Sequence, residues 1–252
     1  MGVTNLWSVL SPSSTPNVSV SELSGQTVAI DLSTWIVEFR KSEATQKFGN
    51  LYLRNLFHRI LYLLKNNIKP VFVCDGKAPE IKQHAMLQRQ EQQFGNRGSG
   101  SLERAGYKSY TDKCTEMIRY FGLPCIQSTG EAEALCAKLN MEGIVDGVIT
   151  NDSDVLLYGA KKVFRNFHKE KDHIENYLIE IYTIEDIEHD LGLNQRSLIA
   201  MGLLIGCDYD KRGVENIGPK KALQLMKHLS SITDDPLARH SCCPSRKWMW
   251  YL

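Results

Sequence analysis

The stretch Val145-Asp146-Gly147-Val148-Ile149-Thr150-Asn151-Asp152-Ser153-Asp154 is an apolar, β-branched run that ends in two acids. Its first six residues have the composition of a buried strand. In an extended chain, side chains two positions apart point the same way, so Asp152 and Asp154 are predicted to face one site. Two earlier apolar runs also end at an acid, Thr27–Ile30 before Asp31 and Pro70–Cys74 before Asp75.

Stretches of helical period lie between these predicted strands. The clearest has apolar residues on one predicted face at Leu53, Leu56, Phe57, Ile60 and Leu64. Alternating strands and helices predict an α/β fold with a central parallel sheet. In such sheets, binding sites form beyond the carboxyl ends of the strands, which is where the acids fall.

A second acidic motif, Gly130-Glu131-Ala132-Glu133-Ala134, precedes the first by about twenty residues. Within a regular helix, residues two apart point about 200° away from each other. Glu131 and Glu133 can therefore converge only if Glu131 lies in the turn after Gly130, ahead of the helix. The alternative is that both acids merely favour the positive end of a helix.

Taken together, these acids predict a metal centre. Seven negative charges cannot lie close together without counter-ions. Carboxylate oxygens without supporting His or Cys favour Mg²⁺ or Mn²⁺ over zinc, and two such ions about 4 Å apart are a common device for hydrolysing phosphodiesters. The predicted ligands are Asp31, Asp75, Glu131, Glu133, Asp152, Asp154 and Asp208.

The overall composition is compatible with a nucleic-acid-binding enzyme. The formal net charge is only +1, but neutralising the seven predicted ligands with cations would raise it by seven. The seven cysteines are scattered without a C-x-x-C pair, which argues against a disulfide framework or a zinc knuckle. No apolar run approaches the roughly 20 residues needed to span a bilayer, so no membrane association is predicted.

Two further segments carry basic residues. Residues 90–112 are rich in Gly, Ser and Gln and contain Arg97, Arg104 and Lys108. They predict a mobile loop that contacts DNA, or alternatively a solvated linker.

The second basic segment follows Asp208. A glycine-flanked turn through Ile217 and Gly218 leads into a helix predicted from Pro219, with Lys220 and Lys221 in its first turn. Backbone N–H groups and two lysines at a helix N-terminus favour a phosphate clamp. The alternative is an ordinary interhelical turn with a cationic face.

The motifs, in this order, resemble the flap endonuclease superfamily. The resemblance covers about residues 1–230, and the pair GEAEA and NDSD is its most specific part. The other matching motifs are Met1-Gly2-Val3-Thr4-Asn5-Leu6-Trp7, Ala29-Ile30-Asp31, Val71-Phe72-Val73-Cys74-Asp75-Gly76, Gly206-Cys207-Asp208-Tyr209 and Asn216-Ile217-Gly218-Pro219-Lys220.

The resemblance implies an α/β, PIN-like (5′-nuclease) domain with a central parallel sheet and a small helix-two-turn-helix region. Its parts would be an N-terminal nuclease region (1–95), a flexible arch loop (96–112), an internal nuclease region (113–208), the helix-two-turn-helix (209–235) and a tail outside the family (236–252). The chain would thus be a C-terminally truncated member.

The resemblance also assigns roles to individual residues. The seven acids would bind two Mg²⁺ ions, which Mn²⁺ could replace, and Gly2 would bring a freed amino terminus near the DNA. Lys82 and Arg89, seven positions apart, would stabilise the phosphate during cleavage, although solvated helix cations are the simpler alternative. A potassium ion is expected at the helix-two-turn-helix.

Within the superfamily, the sequence resembles the GEN branch. Asp75 and Glu131 are 56 positions apart, which leaves no room for the long XPG spacer. The implied function is cleavage of Holliday junctions and 5′ flaps in nuclear DNA repair and recombination, by a monomer that dimerises on junctions. Alternatives are a flap endonuclease or 5′ exonuclease without junction preference, and an inactive, truncated DNA-binding form.

Overall fold

The computed structural model describes residues 2–41, 50–77, 100–171, 176–207 and 212–230, although at 40–41, 100–107 and 230 it describes the backbone alone. The strands are β1 (Ser14–Ser19), β2 (Thr27–Asp31), β3 (Lys69–Cys74), β4 (Cys125–Gln127), β5 (Gly147–Ile149), β6 (Lys162–Lys169) and β7 (Tyr177–Thr183). The helices are α1 (Leu6–Leu10), α2 (Leu32–Lys41), α3 (Leu51–Lys65), α4 (Gly100–Tyr120), α5 (Ala132–Met141), α6 (Asp154–Leu157), α7 (Ile184–Leu191), α8 (Gln195–Ile205) and α9 (Pro219–Ser230).

The seven strands of the described residues form one sheet in the order β1-β7-β6-β5-β2-β3-β4. Strands β6, β5, β2, β3 and β4 run parallel to one another, as predicted. Strand β7 is antiparallel to β6, and β1 is antiparallel to β7. The α/β fold is therefore confirmed, with an antiparallel edge that the apolar runs did not predict.

Two hydrophobic cores cover the two faces of the sheet, and alternate residues of the central strand supply them. Val28 and Ile30 of β2 pack with helices α2 and α3, whereas Ala29 packs on the other side with α5, α6 and α8. A parallel strand buried on both faces has to be apolar throughout. For this reason the apolar residues of β2 before Asp31 can be recognised as a strand from the sequence alone.

Helix α3 buries a different face from the one predicted. Leu56 and Ile60 are buried as expected, but Phe57 and Leu64 are 40% and 39% exposed. A charged residue, Arg59, is buried in their place. Reasoning from apolar spacing treats Arg as a surface residue, which is why it missed this contact.

Arg59 ties three elements together inside the core. Its guanidinium donates to both oxygens of Glu38 on α2, at 2.5 and 3.2 Å, and to the carbonyl oxygen of Phe167 at 3.0 Å. It also lies 4.7–5.1 Å from the centres of three aromatic rings, those of Trp35, Phe39 and Phe167. The buried charge is thus both paired and hydrogen-bonded, as burial of an ion requires.

Replacing Arg59 with Met should destabilise the protein. The change keeps most of the side-chain volume but leaves the Phe167 carbonyl group without its donor and Glu38 without its partner. We expect a loss of roughly 3 kcal/mol, or about 6–12 °C in Tm for a chain of this size. Thermal unfolding measures the effect, with Arg119→Met on an exposed face of α4 as the control. Equal Tm values for the two variants would contradict it.

The predicted loop at 96–112 is wrong from residue 100 onward. Helix α4 starts at Gly100 and continues to Tyr120, whereas residues 90–99 and Arg97 lie outside the described residues. Cys114 and Ile118, one turn apart, are buried against α2 and α3, and this docking stabilises the helix. Tertiary contacts of this kind override the weak helical propensity of glycine, about 1 kcal/mol per residue.

Among the described residues, no helix is both long and apolar enough to cross a bilayer.

Candidate metal centre

The described acids collect at the carboxyl edge of the parallel strands. Asp31 is the last residue of β2, and Asp75 directly follows β3. Glu131 has extended backbone angles as the N-cap of α5, and Glu133 lies in the first turn of that helix. The predicted position of Glu131 ahead of the helix is therefore confirmed.

Asp152 and Asp154 are adjacent for a different reason from the one predicted. They do not lie in an extended stretch, because Asp154 begins helix α6. The turn is held by its own side chains: Asp154 N donates to Asp152 Oδ1 at 3.0 Å, and Asp152 N donates to Thr150 Oγ1 at 3.1 Å. Short polar side chains favour such turns by bonding nearby backbone groups. Both carboxylates are nevertheless buried together.

The start of the chain lies directly against these two acids. Val3 N donates to Ser153 Oγ and to Asp154 Oδ1, both at 3.0 Å. Gly2 has a φ of +83°, and a Cβ there would come within 3.0 Å of oxygens of Asp152, Ser153 and Asp154. Gly2 therefore fits here because it has no side chain and tolerates a positive φ.

Helix α2 holds the other pair of carboxylates. Asp31 accepts hydrogen bonds from Ser33 N at 2.9 Å and from the N–H and hydroxyl of Thr34. Asp75 accepts from the Ser33 hydroxyl and, at 2.9 Å, from Ala132 N at the start of α5. Asp31 is fully buried and Asp75 is exposed, so the site extends from the edge of the sheet to solvent.

Two titratable side chains, Asp31 and Cys136, have raised pKa values because they are buried and lie close to other acids. The pKa of Asp31 is raised to about 7 by burial and then by the charges of Asp75 and Asp152, against the lowering effect of its bonds from Thr34. The pKa of the buried Cys136 thiol is raised well above its usual value by burial and then by Asp31, Glu133 and Asp75. Among the described residues, no Lys or Arg contributes to either shift, so the repulsion between these acids is not offset there.

The donor chemistry fits a hard divalent cation. All the convergent side chains are carboxylates, the oxygen ligands that Mg²⁺ prefers. Among the described residues, no three His, Cys, Asp or Glu side chains stand ready to hold an ion. Several of the carboxylate oxygens instead accept hydrogen bonds from backbone N–H and hydroxyl groups, as given above. An ion would compete with these donors and relieve the repulsion from Asp75 and Asp152, which adds to burial in raising the Asp31 pKa.

A support that sequence reasoning missed holds the Asn151–Asp154 turn. Trp7 Nε1 donates to the Asn151 carbonyl oxygen at 3.0 Å, and the Trp7 ring stacks against the guanidinium of Arg165, 4.8 Å away. Asn166, with a φ of +54° at an irregularity in the β6–β7 pairing, donates its N–H to Asn151 Oδ1 at 2.8 Å. Bulges that redirect a backbone group are common beside functional sites.

Several predicted site residues cannot be placed against the acids. Lys82, Arg89, Arg97 and Asp208 lie outside the described residues, and of Arg104 only the helical backbone is described. Lys108 is exposed on α4.

The predicted phosphate clamp is only partly as expected. Pro219 does begin a helix, α9, and Lys220 in its first turn is exposed. Ile217 is half-buried and Gly218 is exposed. Lys221 is exposed too, but its ammonium donates to the Asn216 carbonyl oxygen at 3.0 Å and so stabilises the turn itself.

Two family models match this chain. The XPG N-terminal domain matches residues 1–96, and the XPG I-region matches residues 122–208. Together they contain every predicted acidic ligand. The chain belongs to the flap endonuclease (XPG) superfamily. Several of the proteins that it resembles are flap endonucleases named GEN.

A related protein and a solved structure show how much of this chain resembles known proteins. Flap endonuclease GEN homolog 1 of mouse is 40% identical over 233 residues, which are 90% of this chain and 25% of the relative. The structure of human GEN1 in complex with Holliday junction DNA has a TM-score of 0.76 and 36% identity, over 90% of this chain and 55% of that one.

The catalytic core of Rad2 in complex with a DNA substrate also matches, with a TM-score of 0.75 and 32% identity over 90% of this chain and 69% of that core. By contrast, the chain spans only a quarter of the length of the mouse relative.

Proposed function

We propose that this chain is a metal-dependent, structure-specific DNA endonuclease that hydrolyses phosphodiesters at Holliday junctions and 5′ flaps in nuclear DNA repair and recombination. The main supporting observation is that acids from four separate segments converge at one edge of the sheet, where burial and then the charges of Asp75 and Asp152 raise the Asp31 pKa to about 7. A purely structural role, in which the carboxylates only accept hydrogen bonds from nearby backbone and hydroxyl groups, would not require so many negative charges in one place. Human GEN1 and the Rad2 catalytic core, which share this fold, were both solved in complex with DNA.

In this proposal, the acids divide by position. Asp31 and Asp75 would form one pair of ligands, Asp152 and Asp154 a second pair, and Glu131 and Glu133 at the start of α5 a third. They would hold two Mg²⁺ ions, or Mn²⁺, with Asp208 completing the set. When bound, such ions supply a nucleophilic hydroxide and stabilise the attacking and leaving oxygens.

The remaining roles belong to the chain's own basic and backbone groups. Gly2, beside Asp152 and Asp154, would bring the amino terminus to the DNA. Lys82 and Arg89 would stabilise charge on the scissile phosphate. The turn at Ile217 and Gly218, with Lys220 and Lys221, would bind duplex phosphates, together with Arg97, Arg104, Lys108 and a potassium ion.

Two other functions remain alternatives to this one. A flap endonuclease or 5′ exonuclease without junction preference would use the same acids. A DNA-binding form without turnover would follow if residues beyond the nuclease core were needed to grip the duplex. The partner in each case is branched DNA, bound by a monomer that would dimerise only on a junction.

A panel of labelled substrates separates these possibilities. With Mg²⁺, the full chain should nick a four-way junction symmetrically and cut a 5′ flap, leaving 5′-phosphate ends. Because phosphate contacts dominate, DNA affinity should fall at least on the order of 10-fold between about 50 and 200 mM salt. Cleavage of flaps alone would favour the first alternative. Binding without cleavage would favour the second, and affinity that is flat with salt would contradict the phosphate-based grip.

A further inference from the structure

Tyr158 connects two parts of the acid cluster. Its hydroxyl donates to Glu131 Oε2 at 2.7 Å across 27 positions of sequence, and its side chain is 9% exposed. Hydrogen bonds to a carboxylate are short and stronger than those between neutral groups. Sequence patterns gave no sign of this contact, because an aromatic residue after a run of apolar ones is usually only part of a core.

The position of Tyr158 is fixed by the element that also carries an acid. Tyr158 is the C-cap residue of α6, the single turn that begins with Asp154, and Tyr158 N donates to the Asp154 carbonyl oxygen at 2.9 Å. The intervening residues, Val155, Leu156 and Leu157, are all buried in the core. One rigid turn therefore sets both the Asp154 carboxylate and the hydroxyl that reaches Glu131.

The backbone of Glu131 is held as well. Ser128 Oγ donates to the Glu131 carbonyl oxygen at 3.0 Å, and Leu135 N donates to the same oxygen at 3.4 Å within α5. With its backbone fixed, the Glu131 side chain still has rotatable bonds between Cα and the carboxylate. The Tyr158 hydroxyl bonds one carboxylate oxygen and so restricts that remaining freedom.

We propose that Tyr158 is a positioning residue that orients the Glu131 carboxylate for a divalent cation. This inference rests on the proposed function. Groups that hydrogen-bond a metal-ligating carboxylate fix its direction, and their loss commonly weakens metal binding by about 10–100-fold. The contribution comes from the hydroxyl alone, since the ring packs in the hydrophobic core whether or not it carries an oxygen.

Tyr158→Phe tests this, because it removes one oxygen atom and keeps the ring. Mn²⁺ binding to the full chain without DNA would be measured by calorimetry, and thermal unfolding would be followed in EDTA. We expect Mn²⁺ affinity to fall roughly 10-fold or more while the unfolding midpoint in EDTA stays near that of wild type. Cleavage should recover at high Mg²⁺, so the half-saturating Mg²⁺ concentration should rise by a similar factor.

A double-mutant comparison separates positioning from general damage. If Tyr158 acts through Glu131, then Tyr158→Phe should change Mn²⁺ affinity little in a Glu131→Ala background. This comparison remains decisive even if Tyr158→Phe lowers the unfolding midpoint. Tyr52→Phe is the control for the loss of a hydroxyl, because Tyr52 is buried in the core on the opposite face of the sheet. This variant should bind Mn²⁺ as wild type does.

The outcomes distinguish this inference from the function on which it rests. Unchanged Mn²⁺ affinity in Tyr158→Phe, with normal binding by wild type, would overturn the role of Tyr158 and leave the proposed function standing. Equal losses with and without Glu131 would do the same. A wild-type chain that binds no Mn²⁺ would overturn the proposed metal centre and this inference with it.

Discussion

Asp31→Asn is expected to reduce cleavage roughly a thousandfold and at the same time to stabilise the metal-free protein. Asp31 is fully buried, and burial together with Asp75 and Asp152 raises its pKa to about 7. An amide of the same shape binds a cation poorly, so the several kcal/mol that a metal contributes to the transition state are lost, roughly a thousandfold in rate. It also carries no charge, so the folded state should gain on the order of 2 kcal/mol without metal.

The pH dependence of this gain has a definite sign. Because the folded-state pKa is raised from 3.8 to about 7, the ionisation of Asp31 destabilises the folded protein most above pH 7, and this cost falls steadily as the pH drops from 7 toward 3.8. The difference in stability between Asp31→Asn and wild type in EDTA should therefore shrink from pH 8 to pH 5. Denaturant unfolding at several pH values measures it.

Asp112→Asn is the matched control, since Asp112 is exposed on α4 and should affect neither cleavage nor this pH dependence. An Asp31→Asn variant that still cleaves at the wild-type rate would rule out Asp31 as a metal ligand. A variant that is inactive but less stable than wild type in EDTA would instead indicate that Asp31 has a structural role.

The parts of this site that the sequence predicted are those fixed by local rules. Strands β2 and β3 were recognised because strands buried on both faces are apolar throughout, and each run ends at its acid. The backbone position of Glu131 followed from helix geometry alone, since two residues in one helix cannot converge at that spacing. In each case a short segment contains all the information needed.

The parts that were wrong or missed depend on contacts between distant segments. Helix α4 forms where the composition favoured a loop, because Cys114 and Ile118 dock on α2 and α3. Arg59 is buried because Glu38 and three rings surround it, and Tyr158 contacts an acid 27 positions earlier. No pattern within one segment carries such information, since the partner groups are brought together only by the folded sheet.

Gly2→Ala should cause a large loss of cleavage without a matching loss of stability. Gly2 has a φ of +83°, and an added Cβ would lie within 3.0 Å of carboxylate oxygens of Asp152 and Asp154 and of Ser153 Oγ. These atoms sit on a turn packed into the core, so either the turn or the start of the chain must shift. A displacement of about 1 Å in a catalytic group can reduce the rate about 100-fold, which is the loss we expect.

Gly25→Ala provides a control with nearly identical backbone geometry. Gly25 has a φ of +85°, but an added Cβ there would meet no atom within 4 Å. Both substitutions should cost roughly 1–2 kcal/mol from backbone strain, whereas only Gly2→Ala brings a methyl group against the acids. Comparing cleavage rates and Tm for the two variants therefore isolates the steric effect. If Gly25→Ala lost as much cleavage as Gly2→Ala, backbone strain rather than the approach of Gly2 to the carboxylates would be responsible.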